Sequence, residues 1–163
     1  MEKYEINKIL DVYHSKDYTE KIIRWRYNDI SNSWLQLGKL KEFDFVKDII
    51  NKDLQEIDNN YRCAPDRDLN TNRKSYQGSI TLLKYVKGDF MDEHCDSANW
   101  GTGILSGGYE LNDEYKGGNF ILDGKKLEVG VGELFTYGRD VLHEVKEVTS
   151  GIRYSLHFFV DKV

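Results

Sequence analysis

Residues 152–160 read Ile-Arg-Tyr-Ser-Leu-His-Phe-Phe-Val, and this segment decides the fold class. Successive side chains of a β-strand point to opposite faces of the sheet, so residues two apart share a face. The alternation predicts a strand with four side chains on one face: Arg153, Ser155, His157 and Phe159. A strand that turns an arginine toward the interior of a β-structure is a candidate part of a functional site.

The same period of two recurs throughout the second half of the chain. Thirteen of the 14 glycines lie from Gly78 onward, and glycine marks turns between strands while it is rare inside helices. We predict strands at residues 79–86, 102–111, 119–122, 127–129, 133–137, 143–148 and 152–160. Many short strands separated by glycine-containing turns predict a sandwich or a jelly roll.

The first half follows a helical pattern instead. Residues 42–58 repeat apolar side chains at steps of three and four, and residues 4–13 do so over a shorter length. Residues 21–37 are ambiguous and fit either a helix or a strand. Residues 62–77 predict a polar loop, which is either a lid over a binding site or a connector. We therefore predict one domain, 1–163, with helix-rich support in 1–60 and a jelly-roll core in 79–163.

Composition excludes several classes of protein. With 39% hydrophobic and 31% charged residues the chain is globular, and it has no apolar run long enough for a transmembrane helix or a signal peptide. Its two cysteines cannot form a disulfide framework. We therefore expect a cytoplasmic protein with no membrane partner. Residues 1–78 carry 14 basic and 14 acidic side chains and the rest carry 9 and 14, so no basic surface favours a nucleic-acid partner.

Three residues have the chemistry and spacing of a metal site. His94 and Asp96 are two apart, so in a strand both would face one ion. His143 is the candidate third ligand and lies 49 residues after His94, at the start of a predicted strand. Two histidines and one carboxylate occupy one face of an octahedron, an arrangement characteristic of non-heme Fe(II) oxygenases. A His-x-Asp pair alone is also common on protein surfaces, so the assignment needs a second feature.

Arg153 is that second feature. A guanidinium inside a barrel is costly unless an anion meets it, and its planar fork binds a carboxylate in a bidentate manner. Ser155 on the same face would add a hydroxyl donor. The alternative interpretation is an internal ion pair between Arg153 and an aspartate or glutamate of the fold.

These pieces together resemble the Fe(II)/2-oxoglutarate-dependent dioxygenases, in particular their prolyl 4-hydroxylase-like branch. The resemblance covers roughly residues 82–160 and rests on the order and spacing of six segments: 83–90, 94–96, 111–118, 131–135, 143–148 and 151–156. It implies a mainly β fold with some α-helix, in which a double-stranded β-helix (jelly-roll, cupin-like) core is flanked by N-terminal helices.

The resemblance also implies the roles of individual residues. The iron ligands would be His94, Asp96 and His143. Arg153 would pair with the distal carboxylate of 2-oxoglutarate, assisted by Ser155. Tyr85 matches a tyrosine that commonly hydrogen-bonds this cosubstrate.

The chain departs from the family pattern at Glu110. Some relatives have a second cosubstrate-binding tyrosine at the matching position, and a glutamate cannot donate a hydrogen bond there unless it is protonated. The geometry of the carboxylate pocket is therefore expected to differ from that of these relatives.

The implied function is that of a 2-oxoglutarate-dependent dioxygenase of the procollagen-proline 4-dioxygenase kind. It would use Fe(II), 2-oxoglutarate and O2, with ascorbate as reductant, and hydroxylate a proline-containing peptide. Arg139 and Trp100 are candidate substrate contacts, with surface or packing roles as the alternative. Two other functions stay open: hydroxylation of a free amino acid or small metabolite, and a non-catalytic jelly roll that binds a sugar or a protein with Zn²⁺ or no metal.

Overall fold

The secondary structure of the chain is predominantly β. The computed structural model describes residues 1–26, 28–64, 80–96 and 104–163. Its helices are α1 (Lys3–Ser15) and α2 (Asp44–Ile57), with short 3₁₀ turns at Leu37–Lys39 and Lys41–Phe43. Its strands are β1 (Ile23–Arg26), β2 (Ile30–Gln36), β3 (Tyr61–Cys63), β4 (Ile80–Tyr85), β5 (Phe90–His94), β6 (Leu105–Glu110), β7 (Tyr115–Gly117), β8 (Phe120–Leu122), β9 (Lys125–Lys126), β10 (Phe135–Gly138), β11 (His143–Val145), β12 (Val148–Gly151) and β13 (Arg153–Lys162).

The main sheet is antiparallel and curls on itself. Its strand order is β10-β6-β13-β4-β2-β5-β11-β8-β9, with β1 added beside β2 and β3 beside β13. Strands β8 and β10 are far apart in this order, yet the Phe120 ring lies 5.4 Å from the Phe135 ring and 5.8 Å from the Tyr137 ring. The sheet therefore encloses an interior, which confirms the predicted double-stranded β-helix with flanking helices.

The two faces of β13 separate the core from the interior of the barrel. Four of its side chains pack into the main hydrophobic core with the buried faces of α1 and α2: Tyr154, Leu156, Phe158 and Val160. The alternate residues, Arg153, Ser155, His157 and Phe159, line the interior cavity, as the alternation predicts. Strand β13 pairs Arg153 with Tyr85 of β4 and Ser155 with Glu110 of β6, so its register aligns the polar residues of three strands.

The helix predictions are confirmed, with small shifts at the ends. Helix α2 buries Val46, Ile50 and Leu54, three of the residues that define its apolar pattern. Phe43 is also buried but lies in the preceding 3₁₀ turn, and Ile57, the last helical residue, is 56% exposed. The core that the helices share with the sheet includes residues of β2, β3, β4, β6 and β13.

The ambiguous stretch 21–37 forms strands, and β2 joins the main sheet between β4 and β5. The first half is thus part of the barrel wall and not only helical support. The predicted strand at 127–129 is wrong: the short strand lies at Lys125–Lys126. The predicted strand 143–148 is interrupted, because β11 ends at Val145 and β12 begins at Val148.

Neither of the two helices in the described part of the chain has the length and the apolar run needed to cross a bilayer. Cys63 is buried, Cys95 is exposed, and the two form no disulfide with each other.

Gly117 is expected to be the more sensitive of two glycines that share a left-handed backbone. Gly117 and Gly124 have φ values of 73° and 71°. A Cβ at Gly117 would collide with the Glu147 carbonyl oxygen and lie 2.9 Å from the Thr149 nitrogen, whereas a Cβ at Gly124 meets nothing within 4 Å. We expect Gly124→Ala to cost about 1 kcal/mol, from the backbone conformation alone, and Gly117→Ala about 3 kcal/mol or more. Urea unfolding of both variants measures the difference, and equal losses would contradict the collision.

Candidate metal centre and anion pocket

A cavity of about 240 Å³ lies inside the curled sheet, many times the space that one ordered water needs. Its walls are mostly apolar and come from both halves of the chain: Trp34, Leu83, Met91, Phe120, Phe135 and Phe159. Two groups of polar side chains interrupt this lining. The first surrounds Asp96, and the second surrounds Arg153.

The first group brings together the three predicted metal ligands. His94, Asp96 and His143 each offer a ligand atom, and these atoms lie within 4.8 Å of one another. The sheet causes this convergence, because β11 pairs with β5 so that His143 lies directly opposite His94. Asp96 follows the end of β5, and its Oδ1 lies 3.8 Å from Nε2 of His143.

Both imidazoles are oriented by the backbone carbonyl two residues before them in the chain. Nδ1 of His94 lies 2.7 Å from the carbonyl oxygen of Asp92, and Nδ1 of His143 lies 3.0 Å from that of Val141. A neutral histidine that donates its Nδ1–H to a carbonyl leaves the Nε2 lone pair for a metal. Burial lowers the pKa of His143, which favours the neutral form that a metal ligand requires.

Asp96 is the anionic member of the group and is 5% exposed. Its Oδ2 accepts a hydrogen bond from Ser106 Oγ at 2.5 Å and lies 3.4 Å from Nε2 of His157. Burial alone would raise the pKa of Asp96, but His157, the Ser106 hydroxyl and His143 together hold it well below its ordinary value. The carboxylate is therefore ionised inside the cavity.

This donor set fits a divalent transition metal. Two imidazole nitrogens and one carboxylate oxygen match the ligand preference of Fe(II), and three protein ligands leave further coordination positions for small molecules. A buried anion next to a neutral imidazole provides a net negative charge at which a cation is stabilised.

The turn before β5 is fixed by a buried ion pair. The carboxylate of Asp89 accepts two hydrogen bonds from the Arg24 guanidinium, at 2.7 and 2.5 Å, and further ones from Ser31 Oγ and the Val86 amide. Asp89 is only 2% exposed, unlike the neighbouring acids Asp92 and Glu93, which are exposed. This ion pair joins β1 to the strand that ends at His94.

The second polar group is centred on Arg153, which is 2% exposed. Its Nη2 donates a hydrogen bond to Oε1 of Glu110, and its Cζ lies 5.1 Å from the centroid of the Tyr85 ring. Burial by itself would lower the pKa of Arg153, but the carboxylate of Glu110 raises it above its ordinary value, so the guanidinium stays charged. The alternative of an internal ion pair is thus realised at one nitrogen of this guanidinium.

The other donors of this group remain available. Nε and Nη1 of Arg153 are buried and have no hydrogen-bond partner among the described residues, and the same holds for the hydroxyl of Ser155. Burial raises the pKa of Tyr85 to about 12, so its phenol is a protonated donor at neutral pH. Buried donors without partners are rare in folded proteins and indicate a place for a ligand oxygen.

The sequence also predicted two substrate contacts, Arg139 and Trp100, and a binding or connecting loop at 62–77. Arg139 lies in the turn after β10, with its guanidinium 5.0 Å from the ring of Phe159 in the cavity wall. Trp100 and residues 65–77 of the predicted loop lie outside the described residues. His157 lines the cavity, as the alternation predicts.

Sequence reasoning missed several residues of the cavity. Trp34 of β2, Ser106 of β6 and Tyr137 of β10 line it or contact its polar groups. Ser106 lies at even spacing from Gly108 and Glu110, and this period of two was a signal that could have placed it on the inner face. Trp34 could have been found only by assigning the ambiguous stretch to a strand.

Solved structures with the same fold include three prolyl hydroxylases. A Pseudomonas putida prolyl-4-hydroxylase has a TM-score of 0.67 at 16% identity, over 100% of this chain and 89% of that chain. A Trichoplax adhaerens prolyl hydroxylase in complex with a peptide fragment of a hypoxia inducible factor has a TM-score of 0.62 at 16% identity, over 98% and 78%. A viral collagen prolyl hydroxylase of Paramecium bursaria Chlorella virus 1, solved with 2-oxoglutarate, has a TM-score of 0.59 at 14% identity, over 100% and 92%.

These likenesses establish the fold, a double-stranded β-helix of the kind found in prolyl hydroxylases. No protein-family model matches the sequence, and the comparison with curated proteins gives no match. Fold and cavity together define a β-helix protein with a His–Asp–His cluster and a buried arginine inside the barrel.

Proposed function

We propose that this protein is an Fe(II)- and 2-oxoglutarate-dependent dioxygenase that hydroxylates an unactivated C–H bond, and that its substrate is a prolyl residue of a peptide. The observation that carries the proposal is the content of one cavity. It contains a convergent set of two histidines and one carboxylate together with a buried guanidinium whose Nε and Nη1 have no partner among the described residues.

Each polar group of the cavity has a distinct task in this proposal. His94, Asp96 and His143 would hold the Fe(II) ion, with Nε2 of each histidine directed by the carbonyl group that holds its Nδ1. Arg153 and Ser155 would bind the distal carboxylate of 2-oxoglutarate, and the phenol of Tyr85 would donate a hydrogen bond to the same molecule. Together, iron, 2-oxoglutarate and O2 supply the oxidising chemistry and yield succinate and carbon dioxide.

The apolar side chains of the wall would exclude water from the reacting groups. The rings of Phe120 and Tyr137 lie 5.7 and 4.9 Å from the ring of His143, and so cover one side of the metal ligands. Exclusion of water strengthens the electrostatic contacts in the site and limits side reactions.

A peptide substrate is supported by the proteins that share the fold, one of which was solved with a peptide fragment. Arg139 and Trp100 are the proposed substrate contacts. Asp29, Asp92 and Glu93 are exposed residues of the cavity lining, and these acids disfavour a nucleic-acid substrate.

The test is the release of succinate from 2-oxoglutarate by the Fe(II)-loaded protein with ascorbate, combined with a panel of proline-containing peptides. Mass spectrometry of the peptides detects the gain of one oxygen atom. The proposal predicts succinate release above that of the metal-free protein, and a peptide that gains one oxygen only when 2-oxoglutarate is present. Turnover of 2-oxoglutarate with free amino acids but with no peptide would move the assignment to a small-molecule substrate.

A non-catalytic, metal-binding jelly roll is the second candidate, and one observation favours it. Glu110 already neutralises Arg153, so the guanidinium does not require an external anion to balance its charge. This candidate predicts metal binding with neither binding nor turnover of 2-oxoglutarate, and the same assay distinguishes the two.

A further inference from the structure

The ion pair between Arg153 and Glu110 lies at the wall of the cavity that the proposed function assigns to the cosubstrate, and Arg153 is the member of the pair that lines the cavity. Glu110 is 7% exposed, and it lies opposite Ser155 in the pairing of β6 with β13. Its Oε1 accepts the hydrogen bond from Arg153, and its Oε2 lies 3.3 Å from the hydroxyl of Tyr115. The carboxylate is thus held from two sides beside the guanidinium.

The charge of this group is balanced before any ligand enters. One guanidinium and one carboxylate sum to zero, and an external carboxylate at Arg153 would place a second negative charge beside Glu110. Like charges that share a buried site repel each other strongly, because little solvent screens them. Glu110 therefore opposes a ligand that carries a negative charge at this position.

The pocket is nevertheless able to bind an oxygen atom there. Nε and Nη1 of Arg153 and the hydroxyl of Ser155 are donors with no partner in the described part of the chain. A neutral carbonyl oxygen can accept from these donors as well as a carboxylate oxygen can, and it brings no charge. Glu110 thus disfavours a ligand with a negative charge at this position, while the donors of Arg153 and Ser155 can still bind a neutral oxygen.

We propose that Glu110 is a specificity-determining residue, an internal acid that competes with the distal carboxylate of the cosubstrate for Arg153 and removes the preference for a dicarboxylic 2-oxo acid. This inference rests on the proposed function. It differs from the view that Glu110 merely orients the guanidinium, because that view predicts weaker binding of 2-oxoglutarate when the charge of Glu110 is removed.

The experiment compares two 2-oxo acids with and without a distal charge, 2-oxoglutarate and its 5-methyl ester, whose distal carbonyl oxygen is a neutral acceptor. Calorimetry on the Mn(II)-loaded protein measures their affinities without turnover, and Mn(II) loading is measured separately. In the unchanged protein we expect the two ligands to bind within about threefold of each other. A preference for 2-oxoglutarate above about tenfold would overturn the inference without any variant.

Glu110→Gln removes the charge and keeps an oxygen that can accept from Arg153. We expect this variant to bind 2-oxoglutarate at least about tenfold more tightly, since a like-charge contact is lost, and to change its affinity for the 5-methyl ester by less than about threefold. Glu114→Gln is the matched control, an exposed acid four residues along the chain, and should change neither affinity.

Unchanged or weaker binding of 2-oxoglutarate by Glu110→Gln overturns the inference and leaves the proposed function intact. If the Mn(II)-loaded protein and the variant both bind neither ligand, the proposed function itself fails. If the variant does not fold, the comparison of the two ligands in the unchanged protein decides the question.

Discussion

Replacement of His94, Asp96 or His143 by alanine, one at a time, is expected to abolish Fe(II) binding and to reduce succinate release to the level of the metal-free protein. Loss of a group that only orients a metal ligand typically lowers affinity or activity by about 10- to 100-fold, so loss of a ligand should exceed about 100-fold. The reason is geometric, because the three ligand atoms lie within 4.8 Å of one another and two of them cannot enclose the ion. Metal content after dialysis and titration with Fe(II) under anaerobic conditions measure the effect.

The controls for this prediction are residues of the same type outside the cavity. His14→Ala changes an exposed histidine of α1 and is the control for the two histidine variants. Asp113→Asn changes an exposed acid after β6 and is the control for Asp96→Asn, which removes the charge of Asp96 while keeping its size. Thermal unfolding of the metal-free proteins separates loss of the ligand from loss of the fold, because Asp96 is buried and hydrogen-bonded to Ser106. Undiminished Fe(II) affinity in any one of the three alanine variants would remove that residue from the set.

Replacement of Arg153 by glutamine is expected to weaken the binding of 2-oxoglutarate while leaving the binding of Fe(II) nearly unchanged. Binding of 2-oxoglutarate should weaken by at least about 30-fold, since truncation of a buried, charged partner costs about 2 kcal/mol or more. Fe(II) binding should change by less than about threefold, because a charged guanidinium has only donors and offers no lone pair to a metal. Calorimetry with each ligand in turn measures both effects.

The variant Arg153→Gln is also expected to be less stable, and a double variant separates this loss of stability from the loss of ligand binding. Arg153→Gln leaves Glu110 buried and unpaired, which costs about 3–5 kcal/mol. The double variant Arg153→Gln, Glu110→Gln removes both charges and should recover most of that stability, measured by urea unfolding. Its affinity for 2-oxoglutarate should remain at least about 30-fold below that of Glu110→Gln alone. Equal affinities in these two proteins would exclude Arg153 as the anion-binding residue.

The outline of the fold and the inner face of β13 could be predicted from the sequence, because they depend on local periodicity. Arg153, Ser155 and His157 alternate with apolar residues, and this pattern alone places them inside the barrel. The grouping of His94, Asp96 and His143 was expected for another reason, from their residue types and from the resemblance of the surrounding segments to a known family.

Three features of the barrel and its cavity could not be predicted, because no local pattern in the sequence indicates them: strand β5, the position of β2 in the sheet, and the partner of Arg153. Strand β5 reads Phe-Met-Asp-Glu-His and has no apolar alternation, so no strand was predicted there. The place of β2 between β4 and β5 is a property of the whole sheet, and Trp34 reaches the cavity only through it. The pairing of Glu110 with Arg153 was open among several acids until the register of β6 against β13 was known.

Strand β13 has one further consequence for this protein. It is bonded to β3, β4 and β6, and its even and odd positions serve the core and the cavity respectively. A shift of its pairing by a single residue would exchange the two rows, placing the charged guanidinium of Arg153 in the apolar core beneath the helices and core residues such as Phe158 in the cavity. One register of β13 thus serves both the packing of the core and the polar lining of the cavity, so a change that disturbs this register would affect stability and ligand binding together.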